Sequence, residues 1–251
     1  CDVVREPERV KERIAYMSQR FGLYPDLSVK ENIRFYADLY GVPRADMHSR
    51  IEELLAFTGL APFRRRLAGR LSGGMKQKLG LACALVHQPE VLLLDEPTNG
   101  VDPVSRREFW RVLNRLAHDG VTVFVSTAYL DEAERCTRLA LLDRGRVLAQ
   151  GTVQKIRALL PGVTWEIVGV DPRALARHLR AVLPGALVAA YGDRLQLALA
   201  GDDEPAIRRV LGQGGFAEAA VRPIRPSLET VFLGVLAGVA NARREAGEAQ
   251  A

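Results

Sequence analysis

No stretch of this 251-residue sequence is long and apolar enough to cross a bilayer. The longest apolar runs, LGLACALV at 79–86 and VFLGVLAGVA at 231–240, fall well short of the roughly 18 residues a membrane-spanning helix takes, so a soluble globular chain is expected. Cysteine is scarce. Cys1, Cys83 and Cys136 lie far apart without metal-ligand spacing and offer no disulfide framework, which points to a reducing, cytoplasmic setting. Blocks of like charge are missing too: 35 basic and 30 acidic residues leave a net charge of +5, but they are interspersed. The excess reads as a solvated mixed surface, and no nucleic-acid partner is expected. The chain opens on Cys1 instead of Met and carries no charged-then-apolar leader, so the expectation is a fragment without its first part.

What is there is enough apolar residue, 48% of the sequence, for one sizeable core and a small second domain. RIAYMSQ at 13–19 has the alternation of a strand, and RFGLYPDLSVKEN leads from it into a helix capped at Ser28. From Ser28 to Pro89 the period is helical. VLLLDEP at 91–97, VTVFVST at 121–127 and RLALLDRGRVLAQG at 138–151 are β-rich, and PVSRREFWRVLNRLAHDG between the first two reads as a helix. Strand, helix, strand with apolar strands predicts a parallel sheet covered on both faces. After Pro161-Gly162 the texture changes to a small α+β unit, with a hairpin turning at Gly192-Asp193 and a capped helix from PSLETVFL; the polar end, NARREAGEAQA, reads as a frayed tail or linker.

Two segments carry candidate chemistry. In LSGGMKQKLGLACALV, Ser72 stands where an N-cap belongs, and the first helical turns hold Gly73, Gly74, Lys76 and Lys78 with no acid. That pattern opposes the helix dipole unless an anion docks there, and the paired glycines allow close approach to the backbone. The plain alternative is a capped surface helix. In VLLLDEP, the apolar run places Asp95 and Glu96 at the carboxyl end of a buried strand, where α/β folds bind their ligands. Successive side chains point to opposite faces, so one carboxylate is placed to hold a hydrated Mg²⁺ and the other to polarise a water. The plain alternative is a pair of solvated acids.

The order and spacing of YMSQ, LSGGMKQ, VLLLDEP, TNGVDP and STAYLDEAE across roughly residues 10–155 resemble the nucleotide-binding domain of ABC ATPases. The resemblance implies an α/β fold: a partial P-loop NTPase core of ABC type, 1–157, with a parallel sheet and a helical subdomain at about 26–89. A small α+β accessory domain at 163–236 and a tail at 237–251 would complete the chain. It implies ATP and Mg²⁺ as cofactors, with Asp95 as the Walker B carboxylate near the metal and Glu96 as the residue that orients the attacking water. Gln19 would reach metal and nucleotide, Ser72, Gly73 and Gly74 would form the signature that meets a nucleotide, and Asp102 would communicate across a dimer. Partners implied are integral-membrane permease subunits and a second ABC ATPase domain, paired head to tail or fused in tandem, at the inner face of the cell membrane.

Two departures stand out. No G-x-x-x-x-G-K-[ST] phosphate loop occurs, and there is no Gly-Lys dipeptide at all, so the chain by itself is expected to be inactive. Ala128 stands where the family's switch histidine contacts the γ-phosphate, and its methyl group offers no hydrogen bond. The loop around Phe21, Leu23 and Tyr24 is unusually apolar for an exposed turn and would receive a permease helix. The wording of the motifs is similar to the first half of tandem ATPase subunits of bacterial multidrug-type exporters. An exporter ATPase is the leading expectation. A weakly hydrolysing regulatory half and a soluble ABC protein outside transport are the alternatives.

Overall fold

The computed structural model describes residues 2–20, 22–160, 162–169, 171–199, 201 and 203–248, with side chains described as far as residue 238. Phe21 and Cys1 therefore lie outside the described residues. The chain divides into two compact units, Cys1–Ala128 and Tyr129–Ala251.

The first unit begins with a short helix, α1 (Pro7–Arg13), which starts on the proline that suits a first helical position. Strand β1 (Ile14–Met17) follows, then α2 (Val29–Leu39), α3 (Arg44–Phe57), two 3-10 turns, and α4 (Gly73–Ala84). Helix α2 has the full capping box: the Ser28 hydroxyl accepts the Glu31 N–H while the Glu31 carboxylate accepts the Ser28 N–H. Buried Asn32 ties the preceding loop to the helix, donating to the carbonyls of Tyr24, Leu27 and Ser28 and accepting the Tyr24 N–H. Strand β2 (Val91–Asp95), helix α5 (Pro103–His118) and strand β3 (Thr122–Ser126) complete the unit.

Strands β1, β2 and β3 pair in that order, all parallel, with Met17 opposite Leu94 and Asp95 opposite Ser126. Ala15, Met17, Leu92 and Leu94 are buried on the face where α4 packs on β1 and α5 on β3. The opposite face carries Tyr16 and Phe124, 54% and 66% exposed. The sheet is thus not covered on both faces among the described residues, against the expectation from sequence. A strand order that advances in one direction with right-handed crossovers puts both connecting helices on the same side.

The second unit starts with α6 (Leu130–Ala133), an antiparallel hairpin of β4 (Leu139–Asp143) and β5 (Arg146–Gly151), and α7 (Val153–Arg157). The hairpin turns through Arg144 and Gly145, both at positive φ, which matches the twist of the strands. Then come β6 (Val163–Val168), α8 (Pro172–Val182), β7 (Leu187–Tyr191), β8 (Arg194–Leu199), α9 (Glu204–Gln213), β9 (Ala220–Ile224) and α10 (Leu228–Glu248). The four strands lie in the order β7-β8-β6-β9, every neighbour antiparallel. A βαββαβ chain in this order is a ferredoxin-like fold. Trp165, Ile167, Leu195 and Leu197 of the sheet pack on Leu175 and Leu179 of α8 and on Ile207 and Leu211 of α9.

Helix α10 joins a separate cluster in which Leu228 and Val231 meet Leu141 and Ile156. Residues 129–157 therefore share a compact unit with the ferredoxin-like sheet. Most of the stretch read as a tail from 237 continues α10 as far as Glu248.

Candidate functional site

Two groups of predicted residues come together in the first unit. The first lies at the carboxyl edge of the parallel sheet. Asp95 closes β2, and because Asp95 sits opposite Ser126 in the register, their side chains share a face. The Ser126 hydroxyl donates to Asp95 Oδ1 at 2.7 Å, and the Tyr16 hydroxyl reaches Oδ2 at 3.4 Å, a long and weak bond. Glu96 comes next and has φ +46°, a left-handed conformation that costs a side-chain-bearing residue on the order of 1–3 kcal/mol. Its backbone N–H is shared between the Ser126 carbonyl at 3.1 Å and the Ser126 hydroxyl oxygen at 3.2 Å. Its carboxylate accepts the backbone N–H of Ala128 at 3.2 Å. The alanine thus takes part in the site through its main chain alone. Gln19 is exposed and follows β1 by two residues, leaving the sheet at the edge that bears Asp95.

The second group surrounds the start of α4. Ser72 is its N-cap and accepts the Met75 N–H at 3.3 Å, leaving the first N–H groups of the helix without intrahelical acceptors. Ser72 and Gly73 are exposed, but Gly74 is buried, and a Cβ on it would overlap Ser105 of α5. The missing side chain of Gly74 makes room for Ser105 of α5, a packing reason for that glycine beside the ligand reading. The same contact brings Asp102 nearby in sequence, where it caps α5 by accepting the N–H groups of Val104 and Ser105. The Ser105 N–H, with that of Val104 beside it, holds the Asp102 carboxyl below the usual carboxylate range. Lys78 is committed to Glu108, so Lys76, which is exposed, is the lysine of the pair that extends from α4 towards solvent.

Sequence reasoning missed Tyr16, Ser105 and the part played by Ser126 in holding the Asp95 carboxylate and the Glu96 backbone N–H. Alternation along β1 would have put Tyr16 on the Asp95 face, but only with the strand register in hand.

The residues present fit Mg²⁺. Asp95 keeps free acceptor capacity beyond its two hydroxyl donors, and among the described residues no group of three His, Cys, Asp or Glu gathers into an all-protein cage. Mg²⁺ characteristically takes one or two carboxylates and fills its remaining positions with water and phosphate oxygens. The acid-free start of α4 fits a phosphate group equally well.

The ABC transporter family profile matches residues 2–99. A daunorubicin resistance ATP-binding protein of Streptomyces coeruleorubidus is 35% identical over 237 residues, covering 92% of this chain and 75% of that protein. The chain belongs to the ABC transporter ATP-binding family. A further ABC relative, a "probable multidrug ABC transporter ATP-binding protein" of Escherichia coli, is 39% identical over 251 residues, 98% of this chain. The chain spans 43% of that relative's length. Among solved structures, cbiO1 of Clostridium perfringens, described as part of the ABC transporter complex cbiONQ, is 26% identical with a TM-score of 0.57, over 73% of this chain and 69% of that one. No helix among the described residues is long and apolar enough to cross a membrane.

Proposed function

We propose that the chain belongs to the ATP-binding and ATP-hydrolysing subunit that energises an ABC exporter, the activity residing in the full-length protein. The observation that carries this is the Asp95–Glu96 pair at the end of a buried parallel strand, with the Glu96 carboxylate held by the Ala128 N–H. Asp95 would hold Mg²⁺ through water or directly, with Gln19 completing its surroundings; the metal, when bound, neutralises charge on the phosphate oxygens. Glu96 accepts a proton-bearing edge of the attacking water and aligns it, which is where phosphoryl transfer to water gains most from the protein. Ser72 and the N–H groups of Gly73 and Gly74 present donors to a nucleotide held by a second ABC ATPase domain, paired head to tail, and Asp102 stands beside that junction.

The partner for coupling is an integral-membrane permease at the inner face of the membrane. Supporting it is a set of exposed aromatics after β1. Tyr24, 44% exposed, stacks edge-on to Phe35 with centroids 4.5 Å apart, and Tyr36 fixes the loop by donating to the Gly22 carbonyl at 2.6 Å. The relatives named for multidrug transport and daunorubicin resistance support an exporter. The ATPase domain would take in 1–157 and the accessory domain 163–236. A second reading, a half that binds nucleotide but hydrolyses it slowly, is favoured by the methyl group of Ala128, which offers no donor to a γ-phosphate. Single-turnover hydrolysis by the full-length protein, with any second half's catalytic glutamate disabled, decides between them. A rate that rises about 10²–10³-fold in Ala128→His supports the slow half, and an unchanged rate supports the competent one.

A further inference from the structure

We propose that Ser126 is the positioning residue that locks the two carboxylates of the site into one unit. The inference rests on the ATPase reading of Asp95 and Glu96 and adds a residue to it. A serine hydroxyl has one hydrogen to give and two lone pairs to receive with. Here the backbone N–H of Glu96 can only donate and the ionised carboxylate of Asp95 can only accept. The hydroxyl hydrogen must therefore point to Asp95 Oδ1, 2.7 Å away, while the oxygen accepts the Glu96 N–H at 3.2 Å.

The serine main chain adds a further restraint, because its carbonyl accepts the same Glu96 N–H at 3.1 Å. One residue thus fixes the orientation of the metal-side carboxylate and holds the left-handed backbone turn that follows it. That turn is what directs the Glu96 carboxylate back to the Ala128 N–H, two residues beyond Ser126. Loss of the hydroxyl frees Asp95 Oδ1 and leaves Glu96 with the carbonyl alone. Metal binding and water alignment should then weaken together, whereas a residue that merely fills space would affect neither.

The test uses full-length protein carrying Ser126→Ala or Ser126→Thr, with Asp95→Asn as the metal-side control. Mn²⁺ binding in the presence of ATP is read by electron paramagnetic resonance, and kcat and KM are measured alongside it. Outer-sphere partners of metal ligands typically contribute 10–100-fold, so Ser126→Ala should raise the half-saturating Mn²⁺ concentration and lower kcat by roughly tenfold or more each. Binding of metal-free ATP should stay at its wild-type value. Ser126→Thr keeps the hydroxyl in a strand position that favours β-branched residues and should restore both readouts. Wild-type Mn²⁺ affinity and kcat in Ser126→Ala would overturn the proposal while leaving the ATPase reading intact, as would a lower melting midpoint with unchanged Mn²⁺ affinity. Wild-type protein with no ATP-dependent Mn²⁺ signal would overturn both.

Discussion

Glu166 on β6 and Asp95 on β2, sheet carboxylates from the two compact units, differ in how far their hydrogen-bonding capacity is used. Glu166, on β6, is buried and ringed by guanidinium groups: Arg222 Nε donates at 2.7 Å from the paired position on β9, and Arg194 reaches the other oxygen at 3.4 Å from β8. Asp95, on β2, meets two hydroxyls and no cation in the bonds that orient it. The first is a charge closed on itself, which holds three strands in register. The second is a charge with room for a cation, at the edge of a sheet where such folds place their chemistry. Spare capacity on a well-oriented group separates a site from a structural ion pair, although both look alike as single acidic letters in a sequence.

Substitutions that swap the consequences of these two residues would break the comparison. Asp95→Asn should abolish nucleotide-dependent Mn²⁺ binding yet leave unfolding free energy within about 0.5 kcal/mol of wild type, checked by metal titration and urea denaturation. The next largest effect falls on packing. Gly74→Val forces a branched side chain into Ser105 and should cost about 1–3 kcal/mol, with Ser105→Gly recovering part of it in the double variant. No recovery would mean that the α4–α5 contact is not what requires the glycine.

Glu166→Gln should do the reverse of Asp95→Asn, leaving hydrolysis unchanged and lowering stability by about 1 kcal/mol, a modest figure because both arginines are at least half exposed. The Arg222 bond holds the Glu166 carboxyl below its usual value, so its contribution is complete above the ordinary glutamate pKa of about 4.3. That contribution is lost as pH falls through the lower folded value. Stability of wild type and Glu166→Gln should therefore converge in acid.

The smallest effect concerns His87, whose Nε2 lies 3.0 Å from the Ile14 carbonyl and whose ring stacks on Tyr40 at 4.1 Å. Burial pushes its pKa below the ordinary value near 6.5, and Arg50 adds to the shift. The unfolded chain then binds the proton more readily. Stability is complete above pH about 6.5 and declines as pH falls through the folded value, a slope that His87→Gln should remove from the acid limb of a melting curve.

Much of this was legible in the letters because it is local. The apolar run ending at Asp95 and Glu96, the cap at Ser28 and the helical period from 28 to 89 each depend on neighbours a few residues away. The turn at Gly192-Asp193 belongs with them: it closes the β7–β8 hairpin where expected. What stayed hidden depends on register or on distant pairing. Glu166 and Arg222 are 56 residues apart, and nothing in either segment announces the pair. The order β7-β8-β6-β9 cannot be read from the order of strands along the chain. The packing reason for Gly74 was hidden because its neighbour, Ser105, comes from the next helix. Helix α1 was missed because seven residues, PERVKER, show no apolar face; none of them is buried.

The most direct test of the account is single-turnover ATP hydrolysis by the full-length protein with any partner site disabled, comparing wild type with Glu96→Gln. If the Glu96 carboxylate, held by the Ala128 N–H, aligns the attacking water, the substitution should lower the rate about 10²–10⁴-fold while ATP binding persists. Equal rates in the two proteins would contradict the assignment of hydrolysis to this site.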